Sequence, residues 1–309
     1  MLRSKSTGML FAWSLLVCQT FAHAYDPIAE DPLVADKAHP PASAELKIPV
    51  ADTRVNGVVY LAQGAGPHPL VLLLHGFPGN ERNLDVAQAL RRAGYDALYF
   101  NYRGSWGSGG KFSFASARAD VAAVLAWVRS PEVAKKYGFD PARVMLLGHS
   151  MGGWLALAGA ADDAKVTCTV ALAPWNIGYF GARQAHGDKK ALDDFVAESR
   201  SYADPEAGPL RGTTIEALAA EAKSHAADWD FRALAPALAA KHGLVITSKK
   251  DTDSSDEMIP APLEEGLRAA HAANWTFRAF DDDHGFSAHR IQTARDAIAW
   301  FDRNCGSAR

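Results

Sequence analysis

The chain of 309 residues has few cysteines and no excess of positive charge. Its 32 basic and 35 acidic residues give a formal net charge of −3. Without a basic surface field, we expect no nucleic-acid partner and no binding to anionic lipid. The sequence also lacks cysteine pairs with metal-ligand spacing, a His-Glu-x-x-His motif and the spacing of a calcium loop, so we expect no metal and no cofactor.

An apolar run long enough to span a membrane comfortably is also missing. Met9–Phe21 is mostly apolar but short, Arg3 and Lys5 precede it, and Ala22-His23-Ala24 follows. This pattern predicts a secretory signal peptide over residues 1–24, cut after Ala24. We therefore expect a secreted or periplasmic protein without a stable membrane anchor, with an uncleaved anchor as the alternative.

The 3 cysteines leave two open interpretations. Cys18 lies within the predicted signal peptide, so Cys168 and Cys305 would remain in an oxidising compartment. They either form a disulfide, or Cys168 is a small buried core residue and Cys305 a free thiol.

Strand-like and helical patterns alternate along most of the chain. Apolar runs predict buried strands at 70–74, 97–102, 143–147, 166–173, 243–248 and 275–280. Helical spacing covers 81–93, 114–129, 153–161, 260–272 and 285–301. Two further strand-like stretches lie within 45–63, where Asn56-Gly57 is a hairpin-turn signal, and Pro131 begins a linker. The pattern predicts an α/β fold with a mostly parallel central sheet of about eight strands flanked by helices.

The domain organisation follows from where this alternation stops. Residues 25–44 are rich in Pro, Ala and Asp and predict an N-terminal arm. The core is expected over 45–173 and 231–309. Residues 174–230 show no strand pattern but have helical patches at 190–199 and 214–225, so we expect a helical lid inserted after the sixth strand.

One pentapeptide organises the functional argument. Gly148-His-Ser-Met-Gly152 matches the G-x-S-x-G nucleophile elbow, and it lies between a predicted strand and a predicted helix. Such an elbow holds a serine hydroxyl at the carboxyl edge of a sheet. The alternative is a Gly- and Ser-containing turn that matches by chance.

Three further motifs accompany the elbow, in an order that resembles the α/β-hydrolase fold superfamily, in its esterase or prolyl-oligopeptidase-like branch. The first is His75-Gly-Phe-Pro-Gly-Asn80, directly after a buried strand. The resemblance implies an oxyanion hole made by the backbone N–H groups of Phe77 and Met151, with Ser150 as the nucleophile and His75 as a structural residue.

The remaining two motifs imply the other members of a catalytic triad. Asp251 follows the strand at 243–248 and is the expected acid, with Asp253 and Asp256 as nearby rivals. His284, in Asp-Asp-Asp-His-Gly-Phe after the last strand, is the expected base. The other nearby histidines are given lesser roles: His149 as packing behind the site, and His289 within the last helix.

Two other stretches are assigned supporting roles. Asn101-Tyr-Arg-Gly104 is similar to a loop that runs close to the site in esterase-like and peptidase-like relatives, and Arg103 is expected to brace it. A lid over a serine site supplies apolar walls, so Trp175, Tyr179 and Phe180 are candidates for substrate binding.

The leading hypothesis is a serine hydrolase that cleaves carboxylic esters through an acyl-enzyme, with a small-molecule ester or acyl substrate. A prolyl-oligopeptidase-like peptidase and an acyltransferase on the same triad are alternatives. A non-catalytic binding protein on this fold is the alternative from another class. The sequence does not indicate an oligomeric state.

Overall fold

A computed structural model describes residues 25–32, 34–251 and 260–306, and its eight strands form one sheet. The strands are β1 Ala42–Val50, β2 Thr53–Leu61, β3 His68–Leu74, β4 Asp96–Phe100, β5 Phe139–His149, β6 Cys168–Leu172, β7 His242–Ser248 and β8 Trp275–Phe280. Their order across the sheet is β1-β2-β4-β3-β5-β6-β7-β8. β2 pairs antiparallel with β1 and β4, and all other pairs are parallel. The predicted mostly parallel sheet of about eight strands is confirmed.

Helices cover both faces of this sheet. They are α1 Leu84–Arg92, α2 Phe114–Val128, α3 Pro131–Tyr137, α4 Met151–Asp162, α5 Ile177–Ala185, α6 Lys189–Ser199, α7 Ile215–Ser224, α8 Ala226–Trp229, α9 Phe231–Leu238, α10 Pro260–Ala269 and α11 Arg290–Asn304. The apolar side chains of α1 and α11 form one buried cluster with one face of the strands, and those of α2, α4, α9 and α10 form another with the opposite face. The central strands are buried on both faces, which explains their continuous apolar sequences.

The predicted hairpin turn at Asn56-Gly57 is wrong. The turn that joins β1 to β2 is at Ala51, which has φ 45°, and Gly57 lies inside β2 opposite Leu46. A Cβ on Gly57 would lie 2.8 Å from the carbonyl oxygen of Tyr99 in β4. The glycine is there because two strands approach closely, not because the chain turns.

The predicted linker at Pro131 is a short helix, α3. Ser130 caps it by accepting a hydrogen bond from the amide of Val133 at 3.4 Å, and Pro131 occupies the first turn, where no amide donor is needed. Gly138 ends the helix with φ 77°. A serine, a proline and a terminal glycine are the standard helix boundary signals, and here they outweigh the short length of the segment.

The stretch between β6 and β7 contains α5 to α9 and a 3₁₀ helix over Arg200–Ala203. We call residues 174–230 the insertion. The helical patches predicted at 190–199 and 214–225 correspond to α6 and α7. Within the described residues, the insertion makes one β-bridge, between Leu210 and Ser105 of the loop after β4. Its role as a lid stays a prediction.

Cys168, at the start of β6, and Cys305, directly after α11, form a disulfide bond. The structure therefore selects the first of the two interpretations left open. No helix in the described ranges combines the length and apolar character needed to cross a membrane. The predicted signal peptide over residues 1–24 lies outside those ranges.

Candidate active site

Ser150 lies in the tight turn between β5 and α4, at the carboxyl edge of the sheet. Its backbone has φ 57° and ψ −122°, a strained conformation for a residue with a side chain. The strain is held by main-chain hydrogen bonds: its amide donates to Leu172 at 2.9 Å, and its carbonyl accepts from Gly153 at 2.8 Å and Trp175 at 3.0 Å. The hydroxyl makes no helix-capping bond, so it stays available to a reactant.

The two glycines of the pentapeptide have a steric role. A Cβ on Gly148 would lie 1.8 Å from the carbonyl oxygen of Gly152, and a Cβ on Gly152 would lie 1.9 Å from that of Leu74. No side chain fits at either position, because the strand, the turn and the helix pack backbone against backbone. This close approach is what gives Ser150 its unusual conformation.

Asp251 and His284 form a hydrogen-bonded pair at the same edge of the sheet. Asp251 follows β7 and its side chain is fully buried, and its Oδ2 lies 2.6 Å from Nδ1 of His284. The partly exposed His284 follows β8. Because a carboxylate only accepts, Nδ1 carries the proton, and Nε2 is the unprotonated nitrogen of the neutral ring. The rival acids Asp253 and Asp256 lie outside the described residues.

His149, the residue before Ser150, is hydrogen-bonded to the loop that carries His284. This loop, Asp281–His289, is called the His284 loop below. Nε2 of His149 lies 2.8 Å from the main-chain oxygen of His284, and the two rings are 4.7 Å apart. A carbonyl only accepts, so Nε2 of His149 is the protonated nitrogen, and Nδ1 is buried with no hydrogen-bond partner among the described residues. His149 therefore does more than the packing predicted for it.

The His284 loop is also braced from within. The carboxylate of Asp282 accepts hydrogen bonds from the amides of Asp283 and Ala288, and it lies 2.8 Å from Nδ1 of His289. These bonds hold the pKa of Asp282 below its usual value, although burial opposes the shift. His289 was predicted inside the last helix, but it is the N-cap residue of α11. The prediction was wrong because the residues after His284 form turns that the Asp282 carboxylate braces, and the helix begins only at Arg290.

Burial distinguishes His75 and His149 from the proposed base, His284. It lowers the pKa of His75 to about 4 and that of His149 to about 3. Both rings are thus neutral at physiological pH. His284, which has a buried carboxylate partner and is partly exposed, is the residue placed to exchange a proton.

The loop His75–Asn80, called the His75 loop below, runs beside the serine. A Cβ on Gly76 would lie 3.0 Å from Cβ and 3.6 Å from Oγ of Ser150. Among the described residues, the amides of Phe77 and Met151 donate to no main-chain acceptor. Met151 is the first residue of α4, where the helix itself offers its amide no acceptor.

The ring of Phe77 lies at the centre of a set of aromatic side chains that we call the aromatic cluster. Its members come from the His75 loop, the start of α2 and the insertion: Phe77, Phe112, Phe114, Trp175, Phe180, Phe195 and Tyr202. The ring centroid of Phe77 is 6.4 Å from that of Trp175, 5.8 Å from Phe195 and 5.6 Å from Tyr202. All four rings are half-buried. The amide of Trp175 bonds to Ser150, so the cluster adjoins the serine.

Sequence reasoning found only part of this cluster. Trp175 and Phe180 were predicted as pocket residues, and their rings are 5.4 Å apart. Tyr179 makes no ring contact within the described residues, and its role stays a prediction. Phe195 and Tyr202 were missed, because a phenylalanine on a helix gives no sign of which loop it will contact.

Two cavities flank this region. One of about 550 Å³ is bordered by both loops of the site, with Asn80, Arg82, Gly285, Ser287 and Arg290 among its walls. Another of about 650 Å³ lies between α6 and α7, and none of the predicted site residues lines it. Among the described residues, no group of three or more His, Cys, Asp or Glu side chains is arranged to hold a metal ion.

Comparison with known proteins gives a consistent result. Residues 71–299 match the sequence profile of the alpha/beta hydrolase family. A 31.7 kDa protein of Escherichia coli, encoded in the traX-finO intergenic region, is 34% identical over 113 residues. That alignment covers 35% of this chain and 38% of the relative, so the chain spans well under half of the relative's length.

Two solved structures have the same fold at low sequence identity. An esterase of Pyrococcus furiosus is 18% identical, with a TM-score of 0.63 over 86% of this chain and 92% of its own. An acylaminoacyl peptidase of Pyrococcus horikoshii is 15% identical, with a TM-score of 0.62 over 86% of this chain but only 42% of its own. At these identities the likeness concerns the fold alone.

Proposed function

This chain belongs to the alpha/beta hydrolase family, and from that premise we propose that it is a serine hydrolase that cleaves carboxylic esters through an acyl-enzyme. Ser150 is the nucleophile, His284 the base and Asp251 the acid that orients it. The observation that carries the proposal is the 2.6 Å bond between a buried Asp251 carboxylate and His284, on the loop tied to the residue before Ser150.

The first half of the reaction begins with proton transfer. Nε2 of His284 takes the hydroxyl proton of Ser150 as Oγ bonds to the ester carbonyl carbon. The imidazolium that forms is stabilised by the Asp251 carboxylate. The carbonyl oxygen becomes an oxyanion, to which the amides of Phe77 and Met151 donate. Two fixed donors of this kind contribute about 3 kcal/mol or more each to the transition state.

The second half releases the products. His284 returns its proton to the leaving alkoxide, the C–O bond breaks, and the acyl group remains on Ser150. Water then donates a proton to His284 and attacks the acyl carbon, and collapse of the second tetrahedral intermediate restores Ser150 and frees the carboxylic acid.

The aromatic cluster supports an apolar substrate-binding wall formed by Trp175 and Phe180 together with Phe195 and Tyr202. All four of these rings belong to the insertion, in keeping with its proposed role as a lid. The small-molecule substrate would lie with its carbonyl at Ser150 and its apolar part against these rings.

A secreted or periplasmic location forms part of the proposal. The pattern of residues 1–24 supports a signal peptide, and the bond between Cys168 and Cys305 fits an oxidising compartment. Sequencing the amino terminus of protein recovered from the periplasm or the medium tests this. A mature chain that begins at Tyr25 is the expected result, and retention of residues 1–24 would contradict it.

A fluorophosphonate probe tests the nucleophile. We expect the wild type and Ser224→Ala, an exposed control on α7, to be labelled, and Ser150→Ala to remain unlabelled. Labelling of Ser150→Ala, or no labelling of the wild type, would refute the proposal. Asp251→Asn should lower kcat by about 10³-fold or more, because the wrong tautomer of His284 is then favoured.

The substrate class requires a separate comparison. Nitrophenyl esters of increasing acyl length should be hydrolysed in preference to aminoacyl-nitroanilides, and the acid rather than a new ester should be the product when an alcohol is present. Faster cleavage of the anilides would replace the esterase with a peptidase. Transfer to the alcohol would replace it with an acyltransferase.

A further inference from the structure

Trp106 joins three segments that are far apart in the sequence. It lies in the loop after β4, and its indole Nε1–H donates to the carbonyl oxygen of Pro78 in the His75 loop at 2.7 Å. Its backbone amide donates to the carbonyl oxygen of Pro209 in the insertion at 2.9 Å. Pro78 directly follows Phe77, whose amide is a proposed oxyanion donor.

The conformation of Trp106 is imposed by its neighbours. Its φ of 48° is left-handed, which costs a large side chain about 1 to 3 kcal/mol. The β-bridge between Ser105 and Leu210 and the bond from the Arg211 amide to Gly104 at 2.8 Å hold the loop in place. These contacts hold the strained conformation, in which the indole N–H reaches the carbonyl oxygen of Pro78 in the His75 loop.

Arg82 reinforces the contact between Trp106 and the His75 loop. Cζ of Arg82 lies 4.7 Å from the centroid of the Trp106 ring, and its Nε donates to the carbonyl oxygen of Gly79 at 3.2 Å. Gly79 itself has no space for a side chain, since its Cβ would lie 2.8 Å from Nε1 of Trp106. The two carbonyls that follow Phe77 are therefore both fixed, one by Trp106 and one by Arg82.

From these contacts we infer that Trp106 is a positioning residue, which holds the amide of Phe77 in place for the oxyanion and links that amide to residues 209–211 of the insertion. The inference rests on the proposed function. An oxyanion donor acts mainly in the transition state, so its displacement lowers kcat and leaves KM nearly unchanged. Residues 209–211 and the His75 loop are thus connected through Trp106.

Trp106→Phe tests this inference, because it keeps an aromatic ring over Arg82 and removes only the N–H donor. Trp275→Phe is the matched control: its indole also donates to a backbone oxygen, that of Leu238 at 3.2 Å, but in β8, away from Ser150. We expect Trp106→Phe to lower kcat by about 10- to 100-fold with KM within about twofold. Trp275→Phe should retain the wild-type kcat.

A second readout isolates the oxyanion. A trifluoromethyl ketone with the same acyl chain as the nitrophenyl ester forms a tetrahedral adduct on Ser150, and its affinity depends on the same two amides. Its inhibition constant should rise in Trp106→Phe by the same factor as kcat/KM falls. Arg82 is half-buried. Arg82→Leu should raise the inhibition constant and lower kcat/KM, each by about 3- to 10-fold.

The outcomes are distinct. If wild-type protein neither labels nor turns over esters, the proposed function fails. The positioning role is refuted if the wild type is active and Trp106→Phe has the same kcat as Trp275→Phe. It is also refuted if Trp106→Phe has a changed KM and a lower kcat but binds the ketone as tightly as the wild type. If Trp106→Phe does not fold, Arg82→Leu decides: unchanged ketone affinity refutes the inference, and weakened affinity with unchanged KM supports it.

Discussion

His149 offers a direct test of how the base is held. Its only described polar contact is the 2.8 Å bond from Nε2–H to the main-chain oxygen of His284. Phe at this position keeps a ring of similar size and removes the donor. Gln places an amide nitrogen the same number of bonds from Cα and restores the donor. The two variants therefore separate the hydrogen bond from the packing.

The size of the effect is bounded by the cost of leaving this carbonyl without a donor. For a fully buried carbonyl the cost is about 1 to 3 kcal/mol, and the bond here is partly buried. If that cost falls on the positioning of His284 in the transition state, kcat falls by about 5- to 150-fold. We expect His149→Phe to lie within this range with KM unchanged, and His149→Gln to recover most of the lost activity.

The assay is ester hydrolysis between pH 5 and 9, with each sample normalised by fluorophosphonate titration of active sites. Burial lowers the pKa of His149 from 6.5 to about 3, so the ring stays neutral throughout this range. The acid limb of kcat/KM should therefore report one proton, that of His284. A limb with two protons would contradict a neutral His149.

Stability gives an independent measurement on the same variants. Because the pKa of His149 is depressed in the folded protein, its neutral form favours folding above pH 6.5, and this contribution is lost as the pH falls toward 3. In His149→Gln the loss of unfolding free energy at acid pH should be smaller.

Equal activity of the Phe and Gln variants, at either the wild-type or a reduced level, would refute a role for the hydrogen bond.

Three further predictions concern stability, and urea unfolding measures each. Arg103→Met leaves the buried carboxylate of Asp120 without its cation, so the free energy of unfolding should fall by about 3 kcal/mol, and adding Asp120→Asn should recover part of it. Cys305→Ser opens the bond to Cys168 across a separation of 137 residues and should cost about 3 to 4 kcal/mol, as should a reductant added to the wild type. Burial raises the pKa of Asp96 to about 7, so the wild type loses stability as the pH rises from 3.8 to 7. Asp96→Asn lacks this loss, and its advantage should grow by up to about 4 kcal/mol over that range.

The parts of the site that sequence could predict are those that local sterics dictate. The elbow requires glycine at positions 148 and 152 because no Cβ fits there, and this leaves a pentapeptide that can be recognised without a structure. Asp251 follows the buried strand β7 and His284 follows the partly exposed edge strand β8, and parallel strands bring their carboxyl ends to one edge of the sheet. Order along the chain was therefore enough to predict that they would meet.

The parts that sequence could not predict depend on contacts between distant segments. The local sequence preference of Asn56-Gly57 predicts a turn, but pairing with β1 and β4 places both residues within a strand. The rings of Phe195 and Tyr202 meet Phe77 from more than a hundred residues away. Nothing in the spacing of these aromatic residues reveals the partner, since helix periodicity indicates which face is buried and not what covers it.

Three of the supporting contacts of the site share one chemical feature. Each of the three is a side-chain N–H that donates to a backbone carbonyl: His149 to His284, Trp106 to Pro78, and Arg82 to Gly79. Every residue has a main-chain carbonyl, so the sequence does not reveal which one is the acceptor. It shows only the residue type of the donor. This explains why motifs can indicate the reaction while the residues that position its groups become visible only in three dimensions.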